Sequence, residues 1–342
     1  MSAPSPCPFD PELGAMLKAA PPEYTATVTP DTLPALSEAY SKPTQTVDEL
    51  IGDRPIKAVD YTFPGYQGAE VGITVFTRKV RKSTAKAPAF YYLHGGGMVM
   101  GHRFMNAESL LPYVEQFDGV FATVEYRVAP KYPDPVPVED CYAGLVWLAA
   151  QSEKLGFDAK RIMIAGGSAG AGIAAGVTLL ARDRGGPHIA WQLLSGPMLD
   201  DRNITLSSRQ YENLGVWNAK SNQTAWGALL GDKLGGPNVS IYAAPSRALD
   251  TKLGLANLPP AFIDVGSAEV FRDEAMAYAN GIWAKGGRAD LHVWAGGFHA
   301  FDMWGHPRLA QEAIAARYNW VRRMVEWDPV SEAFEVPWKS DA

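Results

Sequence analysis

Arg161-Ile162-Met163-Ile164-Ala165, followed by Gly166-Gly167-Ser168-Ala169-Gly170 and the run Ala169–Arg184, decides the fold. The first segment reads as a buried strand and the last as a helix. Between them, Gly-x-Ser-x-Gly fits a tight, strained strand-to-helix turn in which flanking glycines prevent side chains from colliding with neighbouring backbone. A hydroxyl presented there stands at a helix N-terminus, where N–H groups and the helix dipole favour developing negative charge. Ser168 is therefore the candidate nucleophile. The small residues Ala169, Gly170, Ala171, Gly172, Ala174, Ala175 and Gly176 have a structural role on any reading, because they let the helix lie close to its sheet.

Outward from this turn, short apolar runs ended by Gly or Pro predict further buried strands at Ala89–Leu93, Gly119–Glu125, Ile189–Leu194, Ala261–Val265 and Ala289–Trp294. Helical patterns at Glu139–Gln151, Arg272–Lys285 and Leu309–Glu326 alternate with them, which argues for βα units in one doubly covered sheet. Two antiparallel strands, Ile56–Phe63 and Glu70–Thr77, precede the series across the turn-rich Pro64–Gly68. The expected architecture is thus α/β, a mostly parallel eight-stranded sheet covered by helices. Residues 1–55, with helical stretches at Pro11–Ala20 and Thr32–Tyr40, read as an N-terminal arm. In residues 199–258 polar and aromatic residues replace the strand–helix rhythm, and an insertion of that length is uncommon unless functional. Arm and insertion are expected to form a helical cap over a core made of residues 56–198 and 259–342.

His94-Gly95-Gly96-Gly97 follows the strand Ala89–Leu93, and three successive glycines free backbone N–H groups to face a ligand. Gly95, Gly96 and Ala169 are the expected oxyanion-hole donors, with His94 bracing the loop. A base must follow the last strands, in the chain order Ser, acid, His. His292 lies inside a predicted strand and His306 precedes Pro307, whereas His299 sits in a Gly-rich loop just past the strand ending at Trp294. His299 is the candidate base. For the acid, Glu269 lies directly beyond the strand Ala261–Val265, while Asp273 and Glu274 read as first-turn helix carboxylates. Glu269 is the expected acid and Asp273 the next candidate.

With these pieces assembled, the chain resembles the hormone-sensitive-lipase-like esterases of the α/β-hydrolase superfamily, lipolytic family IV, over roughly residues 56–325. Glu125-Tyr126-Arg127-Val128-Ala129-Pro130, Val138-Glu139-Asp140-Cys141 and Leu199-Asp200-Asp201-Arg202-Asn203 look like further family blocks. In such enzymes the acid lies in an Asp-Pro-Leu-x-Asp-Glu block, onto which Glu269-Val270-Phe271-Arg272-Asp273-Glu274 fits with Glu in place of Asp. Gly167 stands where the family commonly has Asp or Thr, and Ala300 replaces a frequent Gly after the histidine. The resemblance implies a serine carboxylesterase with small acyl groups as substrates.

The formal charge of −6 and the lack of a Lys/Arg-rich run give no footprint for nucleic acid or an anionic membrane. Two cysteines offer no disulfide framework or CxxC metal site, so a cytoplasmic protein is expected, and acyl transfer through a serine requires no metal or organic cofactor. No run approaches the roughly 20 apolar residues of a membrane span. A small-molecule ester or lactone is the expected partner, and a homodimer is compatible with the sequence. Met98, Met100, Phe104, Trp217, Trp226 and Phe298 are candidate pocket walls, which suggests an apolar substrate of short to medium chain, although each could equally serve as core. Lactonase or amidase activity, and a non-catalytic ligand receptor on the same fold, are the rival readings.

Overall fold

The computed structural model describes residues 4–82, 87–305 and 307–326; His306 and the last part of the expected core segment, residues 327–342, lie outside them. Eight strands form one sheet: β1 Ile56–Pro64, β2 Glu70–Arg78, β3 Ala87–Leu93, β4 Val120–Val124, β5 Phe157–Gly167, β6 Trp191–Ser195, β7 Ala261–Gly266 and β8 Ala289–Trp294. Their spatial order is β1-β2-β4-β3-β5-β6-β7-β8, antiparallel on both sides of β2 and parallel in every other pairing. All eight expected strands are present. β5 begins four residues earlier than the apolar run suggests, because Ala87 of β3 pairs with Phe157 across a register shift.

The central strands are apolar on both faces because both are covered. On one face, Tyr91, Leu93, Ile164 and Leu194 pack against Leu145, Val177 and Tyr278 of the helices Val136–Ala150, Ala169–Arg184 and Arg272–Ala284. On the other, Phe90, Phe121, Met163 and Phe262 meet Leu111, Val114, Trp320 and Val321 of the helices Leu111–Phe117 and Arg308–Glu326. Gly170 lets the helix Ala169–Arg184 sit against β3, since a Cβ there would come within 2.0 Å of the Leu93 carbonyl oxygen.

Residues 199–258 carry the short helices Leu206–Gln210 and Ala219–Leu230 and two 3-10 turns, Gly231–Lys233 and Pro245–Asp250. Acids just after β6 hold this segment down: Asp201 binds Arg247 at 2.7 and 2.8 Å and accepts from the Gly235 N–H, while Asp200 binds Arg202. The arm, with helices Pro11–Ala19 and Leu33–Tyr40, is tied to the insertion through Val28 N–H to Ser221 Oγ and Asn218 Nδ2 to Thr27 Oγ1, each 2.9 Å. No helix among the described residues is long and apolar enough to cross a membrane.

Candidate active site

Ser168 lies between β5 and the helix Ala169–Arg184 with φ 57° and ψ −125°, a conformation that costs a non-glycine residue about 1–3 kcal/mol. Its surroundings impose it: the Ser168 N–H donates to the Ser195 carbonyl of β6 at 2.8 Å, and its own carbonyl accepts from Ala171, Gly172 and Met198. The side chain is thereby lifted off the strand line toward the loops beyond the sheet's C-terminal edge.

His299 is reached from the loop after β8. Its Nε2 lies 2.9 Å from Ser168 Oγ and its Nδ1 2.6 Å from Glu269 Oε2, with the imidazole buried against the edge of Phe271. The other Glu269 oxygen accepts from the Gly266 N–H at 2.8 Å, so the carboxylate is fixed at the end of β7 before it meets the ring. Asp273 is elsewhere: it accepts from the Ser207 N–H at 2.7 Å and pairs with Arg272. Glu274, buried, accepts from the Leu199 N–H at 2.6 Å, and burial raises its carboxyl well above the ordinary range. Sequence reading placed both as helix-dipole carboxylates; their acceptor role toward the insertion depends on contacts more than sixty residues away.

Gly95 sits beside the serine, where a Cβ would meet Ser168 Cβ at 3.4 Å. Gly96 has φ 106°, a backbone position suited to glycine alone, and a Cβ there would strike the Met100 carbonyl. Among the described residues no loop or side-chain hydrogen bond uses the N–H of Gly95, Gly96 or Ala169. His94 is fully buried, stacks on Tyr126 at 4.1 Å and donates through Nδ1 to the Gly95 carbonyl at 2.8 Å. Burial pushes its pKa down to about 4, so the ring is neutral and acts as a brace for the glycine loop.

A cavity of about 1020 Å³ opens over Ser168 and His299. Of the six expected wall residues, Met100 and Trp217 line it. Met98 and Trp226 belong instead to the main core, Phe104 packs in the opposite core under Arg103, and Phe298 is buried with Leu13 and Phe301. Large apolar side chains fill cores as readily as pockets, and residue type alone does not separate the two. The walls that sequence reading missed include Tyr24, Val28, Leu36 and Tyr40 of the arm, together with Tyr92 and Tyr113.

In sequence and fold the chain is similar to known proteins. A family model described as alpha/beta hydrolase fold matches residues 90–303. Esterase LipI of Mycobacterium tuberculosis is 32% identical over 238 residues, covering 69% of this chain and 72% of that protein. Carboxylesterase NlhH of the same species is 29% identical over 289 residues, covering 83% and 85%. Among solved structures, the Bacterial Heroin Esterase superposes with a TM-score of 0.83 at 33% identity, over 93% of this chain and 98% of that one.

Proposed function

The chain belongs to the α/β-hydrolase fold family, among the hormone-sensitive-lipase-like carboxylic ester hydrolases, and from that premise we propose that it cleaves short- to medium-chain apolar esters with Ser168 as nucleophile. The observation that carries the proposal is the unbroken chain of contacts from Glu269 through His299 to Ser168, at 2.6 and 2.9 Å. His299 Nε2 takes the Oγ proton as Oγ bonds to the ester carbonyl carbon, and the carbonyl electron pair moves onto oxygen. Gly95, Gly96 and Ala169 N–H groups hold that oxyanion. Collapse expels the alcohol, which receives the proton from His299. Water, activated by the same imidazole, then attacks the acyl-enzyme and releases the acid and Ser168. Glu269 keeps Nδ1 protonated and stabilises the imidazolium between the two proton transfers.

The apolar walls contributed by the arm and by Val216 and Trp217 support a cap role for these two segments, with the acyl or alcohol chain held between them and the sheet. The same proposal places the enzyme in the cytoplasm, in keeping with free thiols at Cys7 and Cys141.

The test is steady-state hydrolysis of p-nitrophenyl esters of rising acyl length, with a lactone and an anilide alongside. Ser168→Ala and His299→Ala are each expected to lose at least about a thousandfold in kcat. Glu269→Gln is expected to lose much more than Asp273→Asn. Turnover by Ser168→Ala equal to wild type would overturn the mechanism, and collapse of Asp273→Asn alone would overturn the choice of acid.

A further inference from the structure

The loop that delivers His299 is fastened differently on its two sides. Before the histidine, the Gly296 N–H donates to Ser267 Oγ at 2.8 Å and the Gly297 carbonyl accepts from the Ala268 N–H at 2.9 Å. That side is bonded directly to the loop after β7 that carries Glu269. After the histidine, the loop's backbone bonds are local among the described residues: Phe301 N–H to Phe298, Met303 N–H to Ala300 and Trp304 N–H to Phe301. Phe301 is buried with Leu13, Ala310 and Ala313, but apolar contact has no preferred direction. The directional link on this side is the Asp302 carboxylate, which accepts from Arg317 Nη1 of the helix Arg308–Glu326. Ala300, which joins His299 to that turn, has φ 60°, in the left-handed region that favours glycine. The chain is thus bent against its local preference in the residue next to the base, and its surroundings hold it there.

Arg317 is placed as a bridge. Its Nε and Nη2 reach Asp264 Oδ2 at 2.9 and 2.7 Å while its Nη1 reaches Asp302, so one planar guanidinium joins the turn after His299 to β7. Asp264 is itself fixed. Its side chain is wholly enclosed, and Trp294 Nε1 at the end of β8 donates to the same Oδ2 at 3.0 Å. Burial opposes ionisation of Asp302, but the Arg317 charge and hydrogen bond outweigh it and hold the carboxyl below the usual range. The Asp302 end of the bridge is therefore charged at neutral pH.

Both sides of the imidazole are referred in this way to one strand. The N–H of Gly266, the last residue of β7, holds Glu269 Oε1 at 2.8 Å, and Asp264 of the same strand holds the far side of the His299 loop through Arg317. Proton transfer between Oγ and the ring depends on that alignment, and a misplacement of about 1 Å can cost about a hundredfold in rate.

We infer that Arg317 and Asp302 are positioning residues for the base, holding the loop after β8 so that His299 meets Ser168 through Nε2 and Glu269 through Nδ1. The inference rests on the esterase reading of Ser168 and adds two residues to it. Neither is hydrogen-bonded to Ser168, His299 or Glu269 among the described residues; they act through the backbone of the loop. The rival role is one of charge alone, since the Asp302 carboxylate lies close enough to be favoured by a positive His299 ring.

Asparagine and alanine at position 302 separate the two roles on the intact enzyme. Asp302→Ala cuts the bridge and leaves the Arg317–Asp264 pair in place, whereas Asp302→Asn removes the charge and keeps an oxygen acceptor for Nη1. With p-nitrophenyl acetate, Asp302→Ala is expected to lower kcat by at least about tenfold with KM within about twofold of wild type, and Asp302→Asn to recover most of that loss. Arg317→Lys keeps a positive charge but not the fork that spans two carboxylates, and should resemble Asp302→Ala. A second readout needs no substrate. The low-field proton resonance of His299 Nδ1–H, identified by its loss in His299→Ala, should be present in wild type and Asp302→Asn and broadened or absent in folded Asp302→Ala.

Wild-type kcat in Asp302→Ala overturns the inference, as does a resonance that this variant leaves sharp. An equal fall in kcat for Asp302→Ala and Asp302→Asn overturns it in favour of charge. A rise in KM with kcat unchanged also overturns it, because Asp302 lines the cavity and would then be touching substrate. Should Asp302→Ala not fold, Arg317→Lys is read by the same two measurements. If wild type hydrolyses no ester, the esterase reading fails instead, and the resonance alone decides whether the bridge holds the ring.

Discussion

Ser168 combines a strained backbone with the hydroxyl proposed as nucleophile, and two substitutions separate these roles. Both Ser168→Ala and Ser168→Gly remove Oγ, but only glycine tolerates φ 57° without penalty. Ser168→Gly is therefore expected to be more stable than Ser168→Ala by about 1 kcal/mol, with both inactive; denaturant titration checks it, and equal midpoints would mean the turn is not strained. His94 permits a pH prediction. Its folded pKa, about 4, lies below the ordinary 6.5, so the unfolded chain binds the extra proton. Its contribution is complete above pH 6.5 and is lost as pH falls toward 4, by about 3 kcal/mol over that window. Comparing wild type with His94→Asn cancels the other titrating groups: the stability gap between them should close on acidification, and a constant gap would contradict the assignment.

Elements were legible in the sequence to the extent that local pattern determines them. All eight strands and the four helices flanking the later ones were visible as apolar runs punctuated by Gly and Pro, because a doubly covered sheet demands such runs. The chain Glu269–His299–Ser168 was legible because each residue falls just past a strand end, where the fold gathers its loops. The pocket was not. Met98 and Trp226 carry the same side-chain types as Met100 and Trp217, and only tertiary placement separates core from cavity. Within the elbow the two outer glycine requirements also differ from the middle one. A Cβ on Gly170 would drive into the Leu93 carbonyl at 2.0 Å, whereas one on Gly167 meets only the Tyr92 hydroxyl at 3.9 Å. Gly170→Ala should cost about 3 kcal/mol or more and abolish soluble activity, while Gly167→Ala keeps both. Thermal unfolding and esterase assay of the pair decide it, and comparable damage from both would mean the elbow is packed differently.

At the scale of the whole molecule, the cavity is assembled from parts of the chain far apart in sequence, among them the arm, the insertion, the sheet edge and residues 105–113. Its shape therefore depends on how firmly arm and insertion are joined. The buried bond from Val28 N–H to Ser221 Oγ makes one such joint, and Val28 lines the cavity while Ser221 does not. Ser221→Ala leaves that N–H unpaired in a dry environment, a loss of about 1–3 kcal/mol. The local result is a looser arm wall, remote from the reacting atoms. Substrates that use the wall should notice it and those that do not should escape. For p-nitrophenyl octanoate KM is expected to rise several-fold with kcat little changed, and for the acetate both constants should stay near wild type. An equal KM rise for acetate and octanoate would show that the arm shapes the catalytic centre itself, and a fall in kcat for both would place Ser221 in support of the nucleophile.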